Sequence, residues 1–150
     1  MIDIDRGDWL AEWTTRHATG FVYLDFLTGV DRVTSTEVVA HVLNPDSGER
    51  VLARAVVPSD DPLIDSLSTL YIGASWHERE TSEMFGLTFV GLRDDRPLLL
   101  RTTLGRPPLR HDAVLAARVA VDWPGTAEPG GSPARRRQRP AGVPDEWLDS

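Results

Sequence analysis

Apolar residues recur along this chain with two different periods. Trp9, Leu10 and Trp13 fall at i, i+1 and i+4, the spacing of one helical face, with Asp8 placed to cap the start and Gly20 to end it. An apolar run of strand type follows over 21–27, and Thr28, Gly29, Val30 and Asp31 predict a turn. Residues 37–43 and 50–57 read as two further strands flanking Asn44, Pro45, Asp46, Ser47 and Gly48, a dense turn signal. They predict an antiparallel hairpin. In its second strand Arg50, Leu52, Arg54 and Val56 share one face, and Val51, Ala53, Ala55 and Val57 the other. Pro58 and Pro62, with acids between them, end the hairpin. Leu63, Ile64, Leu67 and Leu70 then form one helical stripe, predicting a helix over 63–70.

A second short helix is predicted from Ser75. Ser75 and Glu78 have the spacing of a capping box, and Gly86 fits the left-handed residue just past a helix end. Arg79 and Glu83 stand at i, i+4, so Arg79 can pair with Glu83 along the helix or reach an acid across an interface. Leu87, Thr88 and Phe89 alternate as a short strand. Glu78 and Glu80 lie roughly 200° apart around a helix axis, so they do not form a catalytic carboxylate pair. One can face a partner while the other caps the helix or meets an arginine. The residues alone favour an ordinary solvated charged helix over a partner-binding one. The pattern predicts an α+β fold: a small, mainly antiparallel sheet with helices packed on one face, followed by an extended C-terminal arm.

The chain has 150 residues, 41% of them hydrophobic, enough for one domain and marginal for two. Residues 1–124 form the predicted domain and hold twelve arginines against nineteen acids. Residues 125–150 hold four of each and are rich in Pro, Gly and Arg. Such a segment buries too little surface to offset its ordering entropy, so a disordered or partner-ordered tail is expected. The net charge of −7 argues against nucleic-acid binding through a basic face. The absence of cysteine excludes thiolate-held zinc, cysteine-ligated iron–sulfur clusters and cysteine nucleophiles within this chain. No apolar run is long enough for a membrane span, and the acidic start lacks a leader pattern, so a cytoplasmic protein is expected. His77 and Glu80 are spaced to seat two metal ligands, but no third is evident. There is no glycine-rich dinucleotide fingerprint, P-loop or nucleophile elbow.

Residues 75–91 resemble the signature of the thirty-kilodalton subunit family of respiratory NADH:quinone oxidoreductase. The residues that carry the likeness are Trp76, Glu78, Arg79, Glu80, Glu83, Met84, Phe85, Gly86, Leu87, Phe89 and Gly91. Upstream segments match in order and spacing, and Pro108, Leu109, Arg110, His111 and Asp112 resemble a later family segment. After Gly91 the chain departs from the family's His-Pro and reads Leu92, Arg93, Asp94, Asp95.

The resemblance implies a structural and assembly subunit that carries no redox cofactor and has no independent activity. Its place would be the cytoplasmic arm of a proton-translocating complex, peripheral to the membrane. The parent complex would use iron–sulfur clusters, quinone and FMN with NADH. The expected partners are the quinone-pocket subunit and the iron–sulfur subunits. Trp76, Glu78, Arg79, Glu80, Glu83, Met84, Phe85, Gly86, Phe89, Gly91 and Arg110 form the expected partner interface. Trp76, Met84 and Phe85 would supply its apolar anchors, and Glu78 and Glu80 would receive partner arginines. The alternatives are the equivalent subunit of a hydrogenase-like membrane complex without an NADH module, a stand-alone soluble enzyme using Glu78, Glu80 or His77, and an adaptor.

Overall fold

A computed structural model describes residues 1–113. The expected domain boundary at 124 and the expected tail over 125–150 lie outside the described residues. Four strands form the main sheet in the order β1 (Ile2–Asp3), β4 (Arg50–Pro58), β3 (Ser35–Leu43), β2 (Tyr23–Asp31). β2, β3 and β4 pair antiparallel, and the short β1 runs parallel to β4. The helices α1 (Trp9–Ala18) and α2 (Ala74–Phe85) follow β1 and the hairpin respectively. A separate two-stranded parallel sheet joins β5 (Leu63–Asp65) to β6 (Thr88–Val90). The fold is α+β, as the pattern predicts.

The alternation along β3 and β4 decides where the core sits. Val38, Ala40 and Val42 of β3 and Ala53, Ala55 and Val57 of β4 are buried, as the strand periodicity requires. They meet Trp9 and Trp13 of α1 and Ala74 and Phe85 of α2 in one core. Trp9 and Trp13 pack edge to face with centroids 5.4 Å apart, a favoured aromatic geometry. The opposite sheet face carries Phe26 stacked on His41, and Glu37 between Arg32 and Arg54.

Four local expectations are corrected. The turn predicted over 28–31 is strand: β2 runs on to Asp31, and the chain reverses at Val33, which has φ 73°. Gly29 is there for packing, not for turning. A Cβ on it would lie 2.6 Å from Cδ2 of Phe85, so only glycine lets α2 sit this close to β2. The helix predicted over 63–70 is instead β5 followed by turns. Its leucine spacing is coincidental, since Leu63 is exposed and the segment pairs with β6. The α1 cap is also shifted. Asp8 makes no side-chain cap bond, and a 3-10 turn over Arg6–Asp8, capped by Asp5, leads into the helix. Finally, the capping box does not form. α2 starts at Ala74, Ser75 Oγ donates to the Ile72 carbonyl, and the Glu78 carboxylate points elsewhere.

Gly29→Ala is expected to lower stability by about 1–3 kcal/mol, the usual cost of overpacking a filled core. A urea melt of the variant beside the parent chain reads this, and an unchanged midpoint would mean that Phe85 moves aside freely.

Candidate functional site

The signature residues sit on and just after α2, and their side chains mostly serve the interior of this fold. Glu78 is fully buried. Its carboxylate accepts from Leu67 N at 2.6 Å and from Ser66 Oγ at 2.6 Å, holding the turn that follows β5. Burial pushes its pKa up to about 7, against the pull of those two hydrogen bonds. Glu80 points outward and is exposed, as the helical offset predicts.

Arg79 and Glu83 do not pair with each other. Both turn to the irregular strap over 92–109 that crosses α2. Arg79 donates to the carbonyls of Arg96 at 2.9 Å and Pro97 at 3.2 Å, and lies 3.4 Å from Asp94. Glu83 accepts from the next backbone amides, Leu98 at 2.6 Å, Leu99 at 2.8 Å and Leu100 at 3.3 Å. A strap outside any sheet must still satisfy its backbone, and these two side chains do so with charge-assisted bonds. The local i, i+4 pair loses because its members have stronger partners than each other.

The Phe-Gly step completes the attachment. Phe85 fills the space above Gly29, and Gly86 adopts φ 76° to end the helix. A Cβ on Gly86 would lie 2.9 Å from Pro107, so this glycine also admits the strap. Leu109 N donates to the Met84 carbonyl. Phe89 is buried in β6, and Gly91 takes φ 90° at the turn that follows.

The far end of the strap is tied to β2. Buried Asp31 accepts from the His111 amide at 2.6 Å, and its carboxylate lies 2.8 Å from Nδ1 of the same residue. Desolvation opposes its ionisation, yet those bonds, the Val33 amide and nearby Arg110 hold its pKa below the usual carboxylate range. Arg110 donates to Ser59 Oγ and pairs with Asp112. Sequence reasoning missed the roles of Asp31 and Gly29, whose partners lie far along the chain.

Glu78, Phe85 and Phe89 are therefore corrected as surface contacts: all three are enclosed by this chain's own side chains. Met84 is half-buried against the same core. Trp76 alone of the expected apolar anchors is widely exposed, at 62%, with the Arg79 guanidinium 5.7 Å from its ring centroid. One turn earlier Ile72 is 91% exposed. Among the described residues no group of three or more His, Asp or Glu side chains is arranged to hold a metal.

The profile of the family described as "Respiratory-chain NADH dehydrogenase, 30 Kd subunit" matches residues 2–119. The C-subunit of the NADH-quinone oxidoreductase of Sinorhizobium medicae is 33% identical over 112 residues, which cover 73% of this chain and 55% of that protein. The C-subunit of the F(420)H(2) dehydrogenase of Methanosarcina mazei is 32% identical over 114 residues, covering 74% of this chain and 72% of that one. The chain thus spans little more than half the length of the first relative. Among solved structures, a trypsin-resistant fragment of Nqo5 superposes with a TM-score of 0.59 and 28% identity. The match covers 61% of this chain and 79% of the fragment.

Two predictions come from this geometry. Glu78 has a raised pKa in the fold, so its contribution to stability is full below about pH 4.5 and is lost as pH rises through about 7. Between these values Glu78→Gln should flatten the pH dependence of the urea midpoint, and parallel curves for variant and parent would refute the assignment. Glu83→Ala strips the acceptor from three strap amides. It should cost about 1–3 kcal/mol and raise hydrogen exchange at 98–100 well above that in β3. Unaltered exchange at 98–100 would show that the strap is held by other means.

Proposed function

The chain belongs to the respiratory-chain NADH dehydrogenase 30 Kd subunit family, and from that membership we propose that it is a structural subunit of the peripheral arm of a membrane-associated NADH:quinone oxidoreductase. On this reading it carries no redox cofactor and has no activity of its own. It sits on the cytoplasmic face and packs against the quinone-pocket and iron–sulfur subunits. Electrons pass from NADH through FMN and iron–sulfur clusters to quinone in those neighbours, in a complex that translocates protons.

The observation that carries this reading is how the signature helix uses its charged groups. Glu78, Arg79 and Glu83 bind backbone and hydroxyl groups of their own chain, and none converges with another on an open cleft. Their chemistry is that of scaffolding. The exposed apolar residues beside them, Ile72 and Trp76, suit burial against another protein. The lack of cysteine is consistent with clusters held elsewhere. No helix among the described residues is long and apolar enough to cross a membrane, which suits attachment through partners. Within the expected interface, the reading assigns partner contact to Trp76 and Glu80. Arg79, Glu83, Gly86, Gly91 and Arg110 then act by shaping the surface.

A second reading has a specific support. The Methanosarcina relative belongs to a dehydrogenase named for a donor other than NADH, and its identity to this chain is similar. The same subunit would then serve a related membrane complex without an NADH module.

Affinity purification of the tagged chain from detergent-solubilised native membranes, with mass spectrometry of what co-purifies, tests both. Quinone-pocket and iron–sulfur subunits are expected in the eluate, and NADH-oxidising subunits among them decide for the first reading over the second. Recovery of the chain alone from the soluble fraction would overturn both.

A further inference from the structure

We propose that the strap forms a docking groove for an acidic segment of a partner protein, one that inserts a large apolar side chain between two arginines. The proposal rests on the assembly role above and assigns one of its contacts. The groove is a concavity of about 280 Å³ beside the C-terminal half of α2. Pro97, Leu100, Leu104 and Pro107 line it together with Arg101 and Arg106, and Glu83 also lines it with its carboxylate already taken up by the amides of 98–100. Leu99 and Leu104, at 59% and 43%, leave much apolar surface uncovered on a segment with little secondary structure.

Charge identifies the occupant. Residues 1–92 hold six arginines against fifteen acids, whereas residues 93–110 hold five arginines against two acids. Of these arginines Arg96 shares Asp94 with Arg79 of α2, and Arg110 pairs with Asp112. Arg101 and Arg106 are exposed and form no ion pair among the described residues. Two guanidiniums at an apolar groove, without an ion pair among the described residues, match carboxylates on either side of a leucine or aromatic residue. An anionic bilayer fits less well. It would meet the acidic body of the domain along with the strap, and a few arginines do not offset that repulsion.

The groove is also prefabricated. Glu83 and Arg79 fix the backbone at 96–100, and Gly86 seats Pro107. Its walls therefore need little ordering on binding, which favours affinity per unit of area.

The test places a photoreactive benzoylphenylalanine at Leu104 of the tagged chain in cells that make the whole complex. After irradiation, the attached peptide is identified by mass spectrometry in the purified complex. The expected result is attachment to one segment of a co-purified subunit, with acidic residues on both sides of the attachment point. In the Arg101→Glu/Arg106→Glu background the attachment should fall by about tenfold or more, because reversed charges repel the same segment. Thermal melting of the double variant should match the parent, since both side chains are exposed. Attachment to lipid, to a basic or uncharged segment, or at equal yield in the reversed background would overturn the groove. So would no attachment in a complex that the tag does recover. A tag that recovers no subunit at all overturns instead the assembly role on which the groove depends.

Discussion

The constraint on which this structure depends is the satisfaction of backbone polar groups in a strap that belongs to no sheet. Residues 92–109 cross α2 with only one short helical turn, over Thr102–Leu104. Their amides and carbonyls would be costly to enclose without partners. α2 meets that need with two side chains of opposite sign. Arg79 takes carbonyls at 96 and 97, and Glu83 takes amides at 98–100. The change from donor to acceptor along one helix face follows the change from carbonyls to amides along the strap. A second carboxylate, Glu78, does the same for the turn after β5 from the other side of the helix. α2 is thus the piece on which two irregular segments are hung, and Phe85 over Gly29 fixes it to the sheet.

This arrangement couples stability to the shape of the outer surface. A change at Arg79 or Glu83 removes bonds that are internal, yet it releases the segment that carries Leu99, Arg101, Leu104 and Arg106 at the surface. A defect in assembly after such a change does not show that the altered side chain touches a partner. Trp76 is the contrasting case. Its ring is open to solvent and packs beside Arg79, so its loss acts mainly on what lies outside. Glu78 adds a cost of its own. Keeping a carboxyl in the core raises its pKa, and the hydrogen bonds it accepts only partly offset burial.

Where the pattern was local, the sequence predicted the structure well. The β3–β4 hairpin, the two strand faces, both helices and the left-handed Gly86 all follow from spacing and turn chemistry. Apart from the α1 start, where Asp5 caps a 3-10 turn in place of Asp8, what failed depended on distant residues. Gly29 resembled a turn glycine because nothing nearby reveals Phe85, fifty-six positions along the chain. Leu63, Ile64, Leu67 and Leu70 matched a helical period over a segment too short for period alone to decide, and pairing with β6 won. Ser75 with Glu78, and Arg79 with Glu83, had the spacings of known local motifs. Glu78, Arg79 and Glu83 found better bonds on distant segments, while Ser75 turned to the carbonyl of Ile72 just before it. Family likeness marks the signature residues as a set, but their division into inward and outward members is visible in the sequence only for Glu78 and Glu80, where helix geometry alone separates them.

The anchors of the strap explain how this chain can depart from its family's pattern after Gly91 without losing the fold. Arg79 grips main-chain carbonyls, which every residue provides, and Glu83 grips amides, which every residue but proline provides. The side chains at 93–106 are therefore largely released from duty in the attachment, apart from Asp94, which Arg79 also approaches, and the half-buried Leu98 and Leu100. They are free to match whatever lies against them. A signature that is largely internal can thus coexist with an outer surface that varies: the helix specifies where the strap runs, and the strap's own residues specify what it meets. In this chain those residues are prolines, leucines and arginines around a groove, on a domain that is otherwise acidic.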